Sequence, residues 1–167
     1  QQFDGYTFDH AELVPSTGLL YEGDVIYLDA SKTINYYYNP KPIDLDDPTT
    51  EELAQALFEG YSPISITNAN LTNTMDLAEA INNANGVLDV PMEILSGEAY
   101  INADETVTVL DTGGLLISGA STTFTNGGEL IAAGDIEVSE AQFINDGTIT
   151  SNGDMSNAMA AVFGAEW

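Results

Sequence analysis

An internal repeat in the second half of the chain constrains its fold more than any other feature. Residues 119–136 and 138–155 carry the same order of Phe, Asn, Gly, an aliphatic residue, Gly and Asp. The equivalent pairs, all separated by the same interval, are Phe124 and Phe143, Asn126 and Asn145, Gly128 and Gly147, Leu130 and Ile149, Gly134 and Gly153, and Asp135 and Asp154. A fixed period of about 20 residues is typical of solenoids, in which each turn of the chain stacks on the previous one.

Stacked turns give each repeated residue a structural role. Phe124 over Phe143 is expected to form an aromatic stack in the interior, because residues one period apart lie above one another. Asn126 over Asn145 is expected to form a ladder of side-chain amides, which we favour over a ligand site. The repeated glycines are expected to supply the positive φ angles of the corners. A weaker echo of the repeat begins at Leu110, at a shorter offset.

Residues 1–70 are predicted to form a small β-rich domain that contains one helix. Two apolar runs around a glycine turn at 18–28 predict a hairpin, and the run at 33–38 predicts a further strand. Thr49 and Glu52 have the spacing of a capping box, which predicts that a helix begins at this point.

Two groups of aspartates are candidate calcium sites, because calcium prefers oxygen ligands. The first group lies in a predicted acidic turn at 43–48 and consists of Asp44, Asp46 and Asp47. Its spacing matches no calcium-loop motif, so a solvated turn is the favoured interpretation. The second group is Asp135 over Asp154, where stacking at a corner brings two like charges together. Either a bound cation or exposure to water relieves that repulsion.

Residues 71–167 open with a second predicted helix at 74–84, where apolar residues recur at positions i, i+3, i+4 and i+7. Asn73 or Thr74 is expected to cap this helix, and Asp76 suits its first turn. Short strands are predicted after the helix, at 87–90, 99–101, 106–110 and 115–117.

This helix and the residues after it resemble the N-terminal cap and first coil of pectin-lyase-like right-handed β-helices. The resemblance is carried by Asp76-Leu77-x-x-Ala80-Ile81-x-x-Ala84, then Gly86-Val87-Leu88-Asp89-Val90-Pro91, then Gly97-x-Ala99-Tyr100-Ile101. In that family a short helix plugs the open end of the solenoid, and a strand ending in Pro, a Gly turn and a Tyr-containing strand follow. The resemblance covers about residues 73–155. It implies a mainly β chain in which residues 71–167 form a short helix-capped right-handed β-solenoid.

The resemblance implies an architecture and not an activity. The family includes enzymes, virion fibres and spikes, and bacterial surface proteins such as autotransporter passengers and adhesins. Its enzymes have many more coils than a chain of 167 residues can build. Its lyases use a basic residue at the reacting carbon, often arginine, and this chain has no arginine. These departures argue against lyase activity and against binding of an acidic polysaccharide.

The charge of the chain excludes whole classes of partner. There are 27 Asp and Glu residues against Lys32 and Lys41, and the net charge is −25. Nothing in such a chain neutralises phosphates, so direct binding to nucleic acid or to an anionic membrane surface is excluded. No apolar run approaches the roughly 20 residues of a membrane span. Copies of the chain repel one another, so either cations, with calcium the expected one, or high ionic strength must screen the carboxylates if the protein assembles.

The residues needed for common catalytic sites are scarce. His10 is the only histidine and there is no cysteine. The sequence has no G-x-S-x-G motif for a nucleophile and no Gly-Lys pair for a phosphate-binding loop. Paired carboxylates stay open, since 27 acidic residues always allow pairs. We expect a protein that is not an enzyme, with no catalytic residue and no cofactor besides calcium.

Aromatic and apolar residues near both ends of the chain are candidate subunit contacts. Tyr36, Tyr37 and Tyr38 lie in a predicted strand, and tyrosine is both a good strand residue and a frequent interface residue. Two stacked coils leave an open edge that is ready to pair. The apolar stretch 157–167 is expected either to cover that edge or to enter a neighbouring subunit, and it contains Val162, Phe163 and Trp167.

These features predict a structural subunit that assembles with copies of itself or onto a lattice protein, on the exterior of a cell or of a virion. The sequence begins at Gln1, which favours removal of a signal peptide and an extracellular or cell-surface location; a trimmed sequence would begin in the same way. A capsid decoration or fibre protein is one alternative. A carbohydrate-binding adhesin, with the three tyrosines as a stacking platform, is another.

Overall fold

The computed structural model describes residues 5–14, 19–20, 33–69 and 76–152. Two helices and fourteen strands occur in these ranges, so the fold is mainly β, as predicted. The helices are α1 (Thr50–Glu59) and α2 (Leu77–Ala84). The strands are β1 (Tyr6–Val14), β2 (Leu19–Leu20), β3 (Thr33–Pro40), β4 (Ile43–Asp46), β5 (Ile64–Thr67), β6 (Pro91–Ile94), β7 (Gly97–Ile101), β8 (Thr106–Val109), β9 (Gly114–Ser118), β10 (Thr122–Asn126), β11 (Glu129–Ala132), β12 (Asp135–Ser139), β13 (Gln142–Asn145) and β14 (Thr148–Ser151).

The first three strands form an antiparallel sheet in the order β2-β1-β3. β1 and β3 pair from Tyr6 opposite Pro40 to Val14 opposite Thr33, with a shift of register between Phe8 and His10. Most of the hairpin predicted at 18–28 lies outside the described residues.

α1 begins at the predicted capping box. Thr49 Oγ1 accepts a hydrogen bond from the Glu52 backbone N–H at 3.2 Å, and Glu52 Oε2 accepts one from the Thr49 backbone N–H at 2.9 Å. The two bonds satisfy two of the donors that a helix N-terminus leaves free. Gly60, with φ of 81°, ends the helix in the left-handed region.

α2 begins later than predicted, at Leu77, because Asp76 is its N-cap and does not lie in its first turn. Asp76 Oδ1 accepts a hydrogen bond from the Glu79 backbone N–H at 2.9 Å. Asn73 and Thr74, the predicted caps, lie outside the described residues. The apolar face of the helix is buried as the periodicity predicts, with Leu77, Ala80 and Ile81 at most 1% exposed.

The remaining strands form three parallel sheets that share one connectivity. β6 to β14 come in three successive triplets, and each strand pairs in parallel with the strand at the same place in the next triplet. The sheet orders are β13-β10-β7, β14-β11-β8 and β12-β9-β6-β5-β4. The chain therefore visits the three sheets in turn, three times over.

Two predicted elements differ from the structure. The sequence at 43–48 was expected to be a turn, yet 43–46 is strand β4, because it pairs with β5 from Ile43 opposite Ile64. The prediction of a strand at 87–90 was wrong: within these residues only Leu88 pairs, in an isolated bridge to Val109, and the next strand, β6, begins at Pro91. Proline is tolerated as the first residue of a strand, so here it opens the strand and does not end it.

One core runs through this whole arrangement. The buried cluster extends from Leu53 on α1 to Phe143 on β13. β4 and β5 share a sheet with β6, β9 and β12, so the sheet and the core are continuous across the boundary predicted at residue 70.

Three of the four repeated glycines have a different role from the predicted one, and the fourth, Gly153, lies outside the described residues. Gly128, Gly134 and Gly147 are not among the described residues with positive φ. A Cβ atom on any of them would overlap a backbone carbonyl oxygen of the neighbouring turn, so glycine is required there for close stacking. Positive φ occurs at another corner, after strands of the five-stranded sheet, at Asp47, Asn68, Gly119 and Glu140.

Candidate interaction surfaces

The antiparallel sheet carries aromatic side chains on one face. Side chains two residues apart in a strand share a face, so Tyr36 and Tyr38 lie together and Tyr37 lies on the other side. Phe8 pairs opposite Tyr38, and the two rings meet edge to face with centroids 5.8 Å apart. Tyr36 is 61% exposed, Phe8 38% and Tyr6, two residues before Phe8, 37%. We name Tyr6, Phe8, Tyr36 and Tyr38 the aromatic face.

The opposite face of this sheet is polar around Tyr37. Its ring stacks on His10 with centroids 4.5 Å apart, and its hydroxyl donates a hydrogen bond to Glu12 Oε2 at 3.1 Å. That hydrogen bond and the negative charge of Glu12 raise the pKa of the Tyr37 hydroxyl. The three adjacent tyrosines therefore do not form one platform, because a strand alternates its side chains.

The Phe and Asn pairs of the internal repeat lie where the spacing places them. Phe124 is opposite Phe143 in adjacent strands, and the rings stack with centroids 5.4 Å apart. Asn126 Nδ2 donates to Asn145 Oδ1 at 2.7 Å and to the Thr148 carbonyl oxygen at 3.1 Å. These contacts hold β10 and β13 in register across the interior.

One hydrogen-bond acceptor of the amide ladder has no partner at the end nearest β7. Asn126 is fully buried, and its Oδ1 atom has no hydrogen-bond partner among the described residues. The preceding strand offers the apolar Ile101 at that place in the register. Asn145 Nδ2 donates a hydrogen bond to the carbonyl oxygen of Gly147, at 3.2 Å. The ladder thus consists of two rungs in the described part of the chain.

The candidate calcium residues are not gathered into one site. Asp44 and Asp46 point outward from β4, where Asp46 Oδ1 accepts hydrogen bonds from Asn68 Nδ2 at 2.6 Å and from Thr67 Oγ1 at 3.2 Å. Asp47 follows with a φ of 49°. Asp135 lies on β12, at the far edge of the same sheet. Within the ranges that the structure describes, no three His, Cys, Asp or Glu residues are placed to hold a metal ion.

Four candidate residues lie outside the described residues: Asp154, Val162, Phe163 and Trp167.

A groove that the sequence did not predict lies between β4 and α1. Apolar side chains and two carboxylates line it, namely Ile43, Leu45, Ala56 and Tyr61 with Glu52 and Glu59. The alternation of Ile, Asp, Leu and Asp over 43–46 is the period-2 pattern of a strand with one buried side, and it was the available signal. We name this the β4–α1 groove.

A polar cluster, also missed from the sequence, ties α2 to the first triplet. Asp76 Oδ2 accepts a hydrogen bond from Asn102 Nδ2 at 2.7 Å, and Glu105 Oε2 accepts one from the Asn102 backbone N–H at 3.0 Å. Burial raises the pKa of the Glu105 carboxyl, and the charge of Asp76 raises it further, while the Asn102 backbone N–H lowers it. Burial and the charges of Asp76, Glu105 and Glu79 likewise raise the pKa of Tyr100.

Neither described helix has the length and apolar character that crossing a membrane requires. Comparison of the chain with protein-family models, with curated proteins and with solved structures finds no match.

Proposed function

We propose that this chain is a non-enzymatic structural subunit that assembles with copies of itself or onto a lattice protein. Its place is the exterior of a cell, in a filament or surface layer, or the exterior of a virion as a decoration or fibre protein. The observation that carries the proposal is the aromatic face, on which Tyr6, Phe8 and Tyr36 are all exposed. Aromatic side chains are enriched at protein interfaces, and grouped exposed apolar residues mark interaction sites.

The parallel part supplies the stiff body of this subunit. We propose that residues 76–152 form a short right-handed β-solenoid and that α1 and α2 cap its first end. The three triplets in matching register support this, as do the Phe124–Phe143 stack and the glycines that permit close stacking. Each turn buries apolar side chains against the next, which is how solenoids gain stability.

Calcium is the proposed screening ion for assembly. With a net charge of −25, copies of the chain repel at low ionic strength, and divalent cations reduce that repulsion. Size-exclusion chromatography with light scattering, in calcium and in excess chelator, measures the mass of the assembly. We expect oligomers in calcium; a strict monomer in both buffers contradicts the proposal. Unchanged oligomers in chelator contradict only the role of calcium.

A pair of variants tests whether the aromatic face makes the contact. Tyr36→Ser is expected to weaken assembly by about tenfold or more, because it removes a large exposed ring from the face. Phe58→Ser is the matched control, since Phe58 is 73% exposed on α1 and lies outside the face. Equal weakening by both variants would remove the aromatic face from the proposal.

A carbohydrate-binding adhesin is the second candidate, and the same face favours it. Exposed rings on a sheet present apolar surfaces on which sugar rings stack. A glycan array distinguishes the two: specific hits that Tyr36→Ser abolishes, in a protein that stays monomeric, favour the adhesin.

A further inference from the structure

The outer edge of β4 presents backbone groups for a further strand. β4 is the end strand of the five-stranded parallel sheet in the described part of the chain. The backbone N–H groups of Ile43 and Asp47 donate to Pro63 and Thr67 carbonyl oxygens beside β5, at 3.1 and 2.8 Å. Because successive residues of a strand direct these groups to opposite sides, those of Asp44 and Asp46 face away from β5.

The side chains around this edge define what an added strand must contain. The β4–α1 groove lies beside the inward-facing Ile43 and Leu45 and has an apolar lining. Asp44 and Asp46 face outward and are exposed. A strand beside β4 would place alternate side chains in the groove and opposite these aspartates. Apolar residues suit the first set, and basic residues suit the second.

We propose that the edge of β4 and the β4–α1 groove bind an extended segment of another protein, with alternating apolar and basic residues, as a sixth strand of the sheet. The inference rests on the proposed structural role and names the chemistry of the lattice partner. Main-chain hydrogen bonds supply affinity in such strand addition, and the pockets for alternate side chains supply specificity.

A second copy of the chain is a poor occupant of this edge. The row of outward side chains in register with Asp44 runs through Glu93 to Glu137 at the far edge of the sheet. Pairing that far edge, or another β4, with this one would bring carboxylates opposite carboxylates. The chain has two lysines to offset 27 acidic residues, and Lys41 already lies over the Tyr61 ring, 5.4 Å from its centroid. A cationic partner removes that repulsion.

The test uses a fluorescent peptide of alternating lysine and valine, capped at both ends, in polarisation titrations against the full chain. A peptide of alternating glutamate and valine is the charge control, and a lysine–proline peptide, which cannot donate to a ladder, is the backbone control. We expect binding of the lysine–valine peptide at physiological ionic strength, and binding at least about tenfold weaker for both controls.

Variants of the protein separate the edge from general attraction to an acidic chain. Asp44→Lys is expected to weaken peptide binding about tenfold, whereas Glu98→Lys, with the same charge change at an exposed site on β7, is expected to change it less than about threefold. Comparing Asp44→Pro with Asp44→Asn isolates the contribution of the outward backbone N–H group. Both variants remove the same charge, but only proline also removes the N–H group. Proline is expected to weaken binding about tenfold more than asparagine.

The outcomes decide between the edge and its alternatives. Equal weakening by Asp44→Lys and Glu98→Lys overturns the inference, since attraction would then follow net charge alone. Equal binding by the Asp44→Pro and Asp44→Asn variants overturns strand addition. If the wild-type protein forms oligomers but does not bind the lysine–valine peptide, the structural role stands and this inference is wrong. If the protein is monomeric in calcium but binds the peptide in a way that depends on Asp44, this inference stands and self-assembly is wrong.

Discussion

The antiparallel sheet and the parallel stack use strands in opposite ways. In the parallel stack of β6 to β14, most inward residues are buried almost completely, as Leu115 and Ile117 on β9 show at 1% and 0% exposure, and only the last turn has partly buried ones such as Ile149. Among the described side chains of β1 and β3, only Ala11 is buried. The stack places its apolar residues in a core, whereas the antiparallel sheet leaves its rings accessible.

This difference suggests that folding stability and contact with a partner depend on different regions of the chain. Burial of apolar surface contributes about 25 cal/mol per Å², so the stack supplies most of the folding free energy. The antiparallel sheet contributes exposed aromatic area, which gains free energy only when a partner covers it. A variant with a given side-chain loss should therefore affect folding in one region and association in the other.

The largest expected effect comes from removing the same ring in the two regions. Phe124→Ala is expected to lower the free energy of unfolding by about 3–5 kcal/mol, because Phe124 is fully buried and stacks on Phe143. Phe8→Ala is expected to cost clearly less, about 1–2 kcal/mol, because Phe8 is already 38% exposed and the variant removes less buried area. Urea unfolding followed by circular dichroism measures both. Similar losses for the two variants would contradict the division.

Glycines give a smaller and sharper contrast within the stack. A Cβ on Gly128 would overlap the carbonyl oxygens of Asn102 and Glu105, so Gly128→Ala is expected to cost about 2–3 kcal/mol. At Gly86, with φ of 84°, nothing lies within 4 Å of an added Cβ, so Gly86→Ala should cost only the strain of the left-handed region, about 1 kcal/mol. If Gly86→Ala lowers the free energy of unfolding more than Gly128→Ala does, the strain of a positive φ costs more than the overlap between adjacent turns, and the contrast is wrong.

The sequence predicted the last repeat but not the earlier ones, and turn length is the reason. Between the second and third triplets the connecting turns are short, so Phe124 and Phe143 pair at the interval that all the repeated residues share. The turns at 102–105 and 110–113 are longer than their later counterparts at 127–128 and 133–134. Phe124 is therefore separated by more residues from its partner Ala99 than from its partner Phe143. The sequence echo that begins at Leu110 assumed a shorter separation, and that prediction was wrong.

Tertiary partners fixed what local sequence left undetermined. Residues 43–46 alternate aliphatic and acidic side chains, which fits a strand, but the aspartates and the prolines at 42 and 48 also favour a turn. Pairing with β5 decides in favour of the strand. Asp76 caps α2 in part because Asn102, 26 residues away, holds its second oxygen. The edge of β4 could not be found without the sheet order, since alternating residues do not reveal which strand lies at the end.

The smallest expected effect is a pH dependence at the junction of the helices with the stack. Glu105 interacts with Asp76, the N-cap of α2, with Tyr100 of β7 and with Asn102 of its own turn, and no cation is among these groups. Burial, then Asp76, raises its pKa in the folded protein. The stability linked to this proton is therefore fully present below the unfolded-state pKa of glutamate, about 4.3, and is lost as pH rises through the higher folded-state pKa. Ionised Glu105 thus lowers stability at pH 7.

Glu105→Gln keeps an oxygen for the Asn102 N–H group and removes the charge, so we expect it to stabilise the fold at pH 7 by less than about 1 kcal/mol, the range of solvent-screened interactions. The gain should vanish near pH 4, where the wild type is protonated as well. Glu98→Gln is the matched control, because it removes one exposed charge from neighbouring β7 and reports only the relief of general repulsion. Urea unfolding at pH 7, 5.5 and 4 gives the difference between the two variants. A difference that stays constant with pH, or a loss of stability for Glu105→Gln at pH 7, would show that Asn102 and not the charge of Asp76 governs this carboxyl.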